Sequence, residues 1–136
     1  MDRVFADTSY WIAILNPRDE LHSRAVSLAQ ALGTVEVVTS DLVLVEFLNS
    51  FSSGGTRLRE AAAGVVVSAR SSSQIQTVSC TDNLLWRALE SYRLARDKNW
   101  SFTDCASFVI MREYGLTSAL THDRHFEQAG FQALLR

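Results

Sequence analysis

Prolines and glycines are scarce in this sequence, and helices are therefore expected to be plentiful. The 136 residues include one proline and six glycines, the residue types that most often interrupt helices and strands. No apolar run approaches the roughly 20 residues that a bilayer-spanning helix needs. The first residues, M-D-R-V-F-A-D-T-S, lack the basic and apolar regions of a signal peptide. These absences predict a cytoplasmic protein.

Cysteine is also rare, with Cys80 and Cys105 as its only two occurrences. They are far apart in the sequence and form no C-x-x-C motif, which argues against a cysteine-based zinc site. A chain of this length has enough core to be stable without a disulfide. Both thiols are therefore predicted to be reduced.

An excess of one charge sign is missing as well. The chain has 13 basic and 15 acidic residues, a net charge of −2. This balance excludes a polybasic mode of nucleic-acid binding, and taken alone it predicts no nucleic-acid partner. The charge is uneven, however, because the segment 51–100 is basic and the segments on either side are acidic.

Short apolar segments alternate with longer amphipathic ones along the whole chain. The predicted strands are 3–6, 35–39, 75–78, 118–121 and 131–135, and the predicted helices are 9–15, 19–32, 41–52, 56–70, 82–98, 103–114 and 122–128. This alternation predicts a single α/β domain over residues 1–136, with a central parallel sheet flanked by helices. Such sheets bind ligands beyond the carboxyl ends of their strands.

Two aspartates directly follow predicted strands. Asp7 comes after the first strand in D-T-S, and Asp123 comes after the fourth in T-H-D-R-H-F. Each could simply cap the helix that follows it. Thr8 and Ser9 could cap the first helix equally well, so capping does not require Asp7.

Two further acids lie on predicted helices. Glu46 has apolar neighbours on both sides in L-V-L-V-E-F-L-N, so we expect it on a helix that is buried on most sides. An unpaired carboxylate there would be costly, unless the glutamate occupies an exposed stripe beside Asn49. Asp104 lies in S-F-T-D, where an acid also completes a capping box.

Asp7, Glu46, Asp104 and Asp123 could all converge if the first and fourth strands are neighbours. Four carboxylates at close range need a counter-charge, and oxygen-preferring divalent ions such as Mg²⁺ or Mn²⁺ supply it. Such ions also support phosphodiester hydrolysis. With the four ligands neutralised, a net charge of −2 no longer excludes an RNA substrate.

These motifs resemble those of PIN-domain ribonucleases. The resemblance rests on D-T-S after the first strand, an isolated glutamate in L-V-E-F-L-N, T-D-C-A-S-F at a helix start, and T-H-D-R-H-F followed by A-G-F. Order, approximate spacing and length all agree over essentially the whole chain. Within the family the sequence looks most like the VapC-type toxins of bacterial toxin–antitoxin pairs.

The resemblance implies a parallel sheet of order 3-2-1-4-5 and a Mg²⁺- or Mn²⁺-dependent endoribonuclease, often acting on tRNA or rRNA. It implies a small antitoxin partner and a homodimer. Carried over by residue, Asp7, Glu46, Asp104 and Asp123 form the catalytic metal pocket. Ser9 and Thr103 match the small hydroxyl residues that accompany it.

Basic and histidine side chains add candidates of a different kind. Arg96 and Lys98 are predicted to contact RNA phosphates, although they could also belong to a solvated helix face. His122 and His125 flank Asp123, and we interpret them as loop residues or phosphate contacts rather than as zinc ligands or a general base. Trp11 and Trp86 are expected in the core or at a dimer contact.

Two other function classes stay open at this stage. The first is a non-catalytic PIN-like module that binds RNA or protein, which has no need to keep four carboxylates. The second is a receiver-type phosphoacceptor domain. Such domains carry paired acids after the first strand, whereas Asp7 is followed by Thr8.

Overall fold

The structure is a computed structural model that describes residues 2–136, so residue 1 of the predicted domain lies outside the described residues. Twelve elements occur in this part of the chain. In chain order they are β1 Arg3–Ala6, α1 Thr8–Leu15, α2 His22–Leu32, β2 Glu36–Ser40, α3 Asp41–Ser50, α4 Thr56–Ser71, β3 Ile75–Val78, α5 Asp82–Leu94, α6 Phe102–Glu113, β4 Ser118–Leu120, α7 Arg124–Gln128 and β5 Gln132–Ala133.

The five strands form one parallel sheet of order β3-β2-β1-β4-β5, which confirms the predicted topology. The chain builds outward from β1 to β3 and then returns to the other side of β1. The strand order therefore reverses between β1 and β4, where Phe5 pairs with Ala119 and Ala6 with Leu120. A crevice is expected at the carboxyl ends of these two strands.

Aromatic side chains join the sheet to the helices. Phe5, Phe108 and Phe126 are fully buried, and Phe126 contacts the rings of both others. Phe108 also contacts Trp100 and Phe131, so α6 is fixed against α7 and the C-terminal part of the sheet. This packing holds the loop after β4 close to the start of α6.

Two helices are shorter than predicted. The helix expected from residue 19 begins at His22, because the Asp19 carboxylate accepts a hydrogen bond from the Leu21 amide and forms a turn instead. The helix expected to reach residue 98 ends at Leu94, where Ala95 leaves the helical conformation with ψ 50°. Its last predicted residues, including Arg96 and Lys98, form a turn beyond the helix.

The other helix and strand ends differ from their predicted positions by at most three residues. The last strand shortens to Gln132–Ala133, and α7 begins at Arg124 rather than at residue 122. Gly33 and Gly115 follow α2 and α6 with φ of 56° and 66°. Because these positive angles favour glycine, the two glycines stop their helices as the sequence predicts.

The expectation that α3 is buried on most sides is wrong. Val43, Leu44 and Phe47 face the core, whereas Val45 and Leu48 are exposed. Glu46 is exposed as well, on the stripe that was the alternative interpretation. The apolar pattern misled because an exposed helix face can carry apolar side chains.

The three tryptophans do not share one environment. Trp11 is buried and donates a hydrogen bond to the Thr39 hydroxyl, and Trp100 packs on Phe108. Trp86 is 65% exposed, so of its two predicted places the core is excluded and a dimer contact stays a prediction. Of the cysteines, Cys105 is buried, Cys80 is exposed, and neither forms a disulfide.

The described helices are too short or too polar to cross a membrane.

Candidate acidic metal site

A pocket of about 360 Å³ lies beyond the ends of β1 and β4. It brings together the four acids that the sequence singles out, although they come from four separate parts of the chain. The pocket is lined by Asp7, Thr8, Ser9, Ile12, Glu46, Asn99, Ser101, Asp104, Asp123 and His125.

The sheet register places Asp7 at this position. The Asp7 amide continues the β1–β4 ladder by donating to the Leu120 carbonyl, 3.2 Å away. Asp7 is then the N-cap residue of α1, but its side chain makes no capping hydrogen bond. Its carboxylate instead accepts a hydrogen bond from the Thr121 hydroxyl at 2.8 Å. The helix-capping alternative therefore does not explain this side chain.

Burial dominates the electrostatics of Asp7. The side chain is almost completely enclosed, and loss of solvation raises its pKa from 3.8 to about 7. Hydrogen bonds from the Thr121 hydroxyl and the Thr8 amide oppose this rise, and the negative charges of Asp104 and Glu46 add to it. A positive charge in the pocket would restore the ionised form.

Asp104 has two interactions at the beginning of α6. Its amide donates to the Ser101 hydroxyl at 3.0 Å, and its carboxylate accepts from the Ser101 amide at 3.1 Å. These two bonds form the capping box that the sequence predicts. Burial is the main cause of the raised pKa of Asp104, and its hydrogen bonds from His125 and Ser101 oppose the rise.

Asp123 begins the short helix α7. Its carboxylate accepts a hydrogen bond from the His125 amide at 2.9 Å, so its helix-capping interpretation is correct. Its amide donates to the Thr121 hydroxyl at 3.0 Å. Its negative charge also contributes to the raised pKa of Asp104. Capping and membership of the pocket are therefore not exclusive for this residue.

Glu46 reaches the same pocket from α3. It lines the pocket and its charge acts on Asp7, although the residue is exposed. The physical reason for singling it out, a costly buried charge, is therefore wrong, while its predicted location beside the other acids agrees with the structure.

The donor set fits a divalent cation. All four acids offer oxygen atoms, which Mg²⁺ and Mn²⁺ prefer. Single ligand atoms of Asp104, Asp123 and His125 lie within 4.8 Å of one another. The Thr8 hydroxyl, also at the pocket, is buried without a hydrogen-bond partner among the described residues. The pocket therefore contains oxygen atoms and polar groups that have no hydrogen-bond partner among the described residues.

Of the remaining predicted site residues, one lines the pocket and three lie outside it. Ser9 lines it, and its hydroxyl lies 3.3 Å from that of Thr121. Thr103 is not among the lining residues, whereas Ser101 is. Lys98 lies in a neighbouring groove of about 520 Å³ between α5 and α6 and forms an ion pair with Asp97. Arg96 is exposed nearby.

Sequence reasoning missed Thr121 and gave His125 a different role. Thr121 is completely buried, and its hydroxyl connects Asp7 with the amide of Asp123. A polar residue at the end of the buried segment S-A-L-T was the signal for it. His125 was interpreted as a loop residue or phosphate contact rather than as a zinc ligand or general base, and its Nδ1 atom lies 2.9 Å from Asp104 Oδ2. Its position two residues after Asp123 was the signal.

Comparisons with known proteins agree on one family. The PIN domain family matches residues 4–132. A 23S rRNA-specific endonuclease, VapC20 of Mycobacterium tuberculosis, is 32% identical over 128 residues, which cover 94% of this chain and 95% of the relative. The alignment therefore spans nearly the full length of both proteins.

Two solved structures are similar to this one over nearly their whole length. The crystal structure of Mycobacterium tuberculosis VapC20, described as a Sarcin-Ricin loop cleaving toxin, matches with a TM-score of 0.84 and 30% identity, covering 94% of this chain and 95% of that one. FitAcB from Neisseria gonorrhoeae matches with a TM-score of 0.65 and 15% identity, covering 96% and 95%. The second match supports the fold alone.

Proposed function

The chain belongs to the PIN-domain family, and on that premise we propose that it is a metal-dependent endoribonuclease of the VapC type that hydrolyses RNA phosphodiester bonds. The observation that carries the proposal is the convergence of Asp7, Glu46, Asp104 and Asp123 on one pocket at the β1–β4 reversal. The 32% identity to VapC20 supports it.

We propose that Asp7, Asp104 and Asp123 hold Mg²⁺ or Mn²⁺ and that Glu46 either binds the cation or orients water. When bound, the cation supplies Lewis-acid chemistry, lowering the pKa of water and stabilising charge on the leaving oxygen. The protein itself fixes the carboxylates: Thr121 holds Asp7, and the capping box holds Asp104. Exposed Glu46 lies where solvent water reaches the pocket.

The substrate class follows from the same relative. VapC20 is named as a 23S rRNA endonuclease, and we propose a structured RNA, either rRNA or tRNA, as the substrate here. Ser9 and Thr103 are proposed to assist substrate binding as small hydroxyl residues. Arg96 and Lys98, in the turn beyond α5, are proposed to contact phosphates on either side of the cleaved bond.

We also propose two protein partners, a small antitoxin and a second copy of the chain. Apolar side chains exposed on three helices support this, since they provide contact area: Val45, Val67, Trp86 and Leu94. Light scattering tests the second copy, and co-expression with the product of the neighbouring reading frame tests the antitoxin.

Cleavage of RNA by an Asp104→Asn variant tests the proposed activity. The substitution keeps the shape of the side chain and removes its charge, so we expect cleavage to fall at least about a hundredfold, as for loss of other groups that stabilise the transition state. EDTA should abolish wild-type cleavage, and Mg²⁺ or Mn²⁺ should restore it. Circular dichroism checks that the variant is folded.

Glu60→Gln is the matched control, because Glu60 is an exposed acid on α4 away from the pocket. It should cleave RNA at the wild-type rate. Undiminished cleavage by Asp104→Asn, or insensitivity to EDTA, would contradict the mechanism. Calorimetry with Mn²⁺ separates the alternative of a non-catalytic PIN-like module, which is expected to bind no metal.

A further inference from the structure

His125 lies between two of the pocket carboxylates. Its Nδ1 atom is 2.9 Å from Asp104 Oδ2 and 3.3 Å from Asp123 Oδ1. The side chain is only 20% exposed, and it follows Asp123 in the first turn of α7. One ring nitrogen therefore contacts acids that come from two different elements.

The same two oxygens accept the other hydrogen bonds of these carboxylates. Asp104 Oδ2 also accepts from the Ser101 amide, and Asp123 Oδ1 also accepts from the His125 amide. Within residues 2–136, no hydrogen bond to the second oxygen of either carboxylate is found. Each carboxylate thus has one oxygen held by the protein and one oxygen available to a cation.

The position of the proton on His125 follows from its neighbours. Ionised carboxylates only accept hydrogen bonds, so an Nδ1 atom placed between two of them must carry a hydrogen. A protonated Nδ1 has no lone pair for a metal ion. The geometry is therefore that of a donor whose hydrogen bond goes to Asp104, with Asp123 Oδ1 at ion-pair distance, and not that of a metal ligand through Nδ1.

We propose that His125 is a positioning residue that holds Asp104 and Asp123 in the orientation needed to bind the cation. The inference rests on the proposed function, because it assigns a role toward the metal of that site. Hydrogen bonds of this kind orient metal ligands, and their loss costs metal affinity. The preferred metal oxygen would be Oδ1 of Asp104 and Oδ2 of Asp123.

Nitrogen NMR of the metal-free wild-type protein tests the donor directly. With ¹⁵N-labelled histidine, we expect the Nδ1 signal of His125 to be that of a protonated nitrogen, with a hydrogen that exchanges slowly. An unprotonated Nδ1 signal would overturn the proposal. This measurement needs neither bound metal nor RNA cleavage.

Two substitutions test the consequence for metal binding. The amide nitrogen of His125→Asn can occupy the place of Nδ1, whereas the longer side chain of His125→Gln moves its donor away. In Mn²⁺ titrations followed by electron paramagnetic resonance, we expect His125→Gln to bind at least about tenfold more weakly than the wild type. His125→Asn should retain most of the wild-type affinity.

The pattern of outcomes separates this proposal from the function itself. Equal Mn²⁺ affinity in His125→Gln and the wild type, or an equal loss in both variants, would overturn the positioning role. Absence of Mn²⁺ binding by the wild-type protein would contradict the proposed function, and the NMR signal would still decide whether Nδ1 is the donor. Thermal unfolding of each variant checks that a loss of affinity does not come from unfolding.

Discussion

At the residue scale, Asp7 is the acid whose chemistry depends most on the fold. It is 5% exposed and has a pKa of about 7 against an ordinary value of 3.8. The folded protein therefore keeps a proton that the unfolded chain loses near pH 4. The stability that this proton contributes is complete below about pH 4 and is lost as the pH rises through 7.

Asp7→Asn should therefore stabilise the metal-free protein at high pH. A shift of this size corresponds to about 4 kcal/mol when Asp7 is fully ionised, so in EDTA at pH 8 we expect the variant to unfold several degrees above the wild type. At pH 5 the difference should fall to about 1.6 kcal/mol, because Asp7 is then still protonated in the folded protein and ionised only in the unfolded chain. Differential scanning fluorimetry at both pH values measures it.

Glu60→Gln again serves as the control. Its melting temperature should differ between pH 8 and pH 5 by the same amount as that of the wild type. A melting temperature of Asp7→Asn below that of the wild type at pH 8 would show that the buried charge is not the destabilising group. The stabilised variant should also bind Mn²⁺ poorly, because an amide replaces a proposed ligand.

At the scale of elements, the beginning of α6 combines a helix cap with part of the pocket. Ser101 caps α6 through the amide of Asp104, and Thr81 caps α5 through the amide of Leu84 in the same way. The two caps are chemically alike. Only the first of them involves a pocket carboxylate.

Ser101→Ala and Thr81→Ala form a matched pair for this reason. Each should lower the free energy of unfolding by about 1 kcal/mol, the usual cost of a lost N-cap, as measured by urea denaturation. Ser101→Ala alone should weaken Mn²⁺ binding, because it loosens Asp104. An equal loss of Mn²⁺ affinity in Thr81→Ala would mean that general destabilisation, not the cap at the pocket, is responsible.

The elements also explain how far the sequence could predict the site. Asp7 and Asp123 were recognisable because strand ends of a parallel sheet share one edge, and Asp104 because it lies in the motif T-D-C-A-S-F, although its capping box alone also fits a purely structural role. The exposure of Glu46 was not predictable, since it depends on which face of α3 the core covers. Thr121 was missed, and the contact of His125 with Asp104 was not predicted, because their partners are 114 and 21 residues away and sequence spacing does not encode such contacts.

At the scale of the whole molecule, the small net charge limits how RNA can be bound. The 13 basic residues are balanced by 15 acidic ones, so no large excess of positive charge is available for phosphate contacts. Arg96 and Lys98 are the two proposed, and single-stranded RNA releases about 0.7 counterion per contact. We therefore expect log affinity to fall with log salt concentration at a slope no steeper than about −2.

Fluorescence anisotropy with the Asp104→Asn variant measures this slope without cleavage of the RNA. Arg96→Ala should make the slope shallower by about 0.7, while Glu60→Gln should leave it unchanged. A slope near −5 would contradict the assignment, because it would require a polybasic surface that the charge balance does not provide.

The pairing of β1 with β4 has a consequence for the order in which the protein is made. Asp7 leaves the ribosome 114 positions before its partner Thr121, and Asp123 and His125 follow Thr121. The pocket therefore cannot assemble while the chain is still being translated through β3 and α5. A nuclease with the proposed mechanism would therefore gain its activity only after β4 has paired with β1.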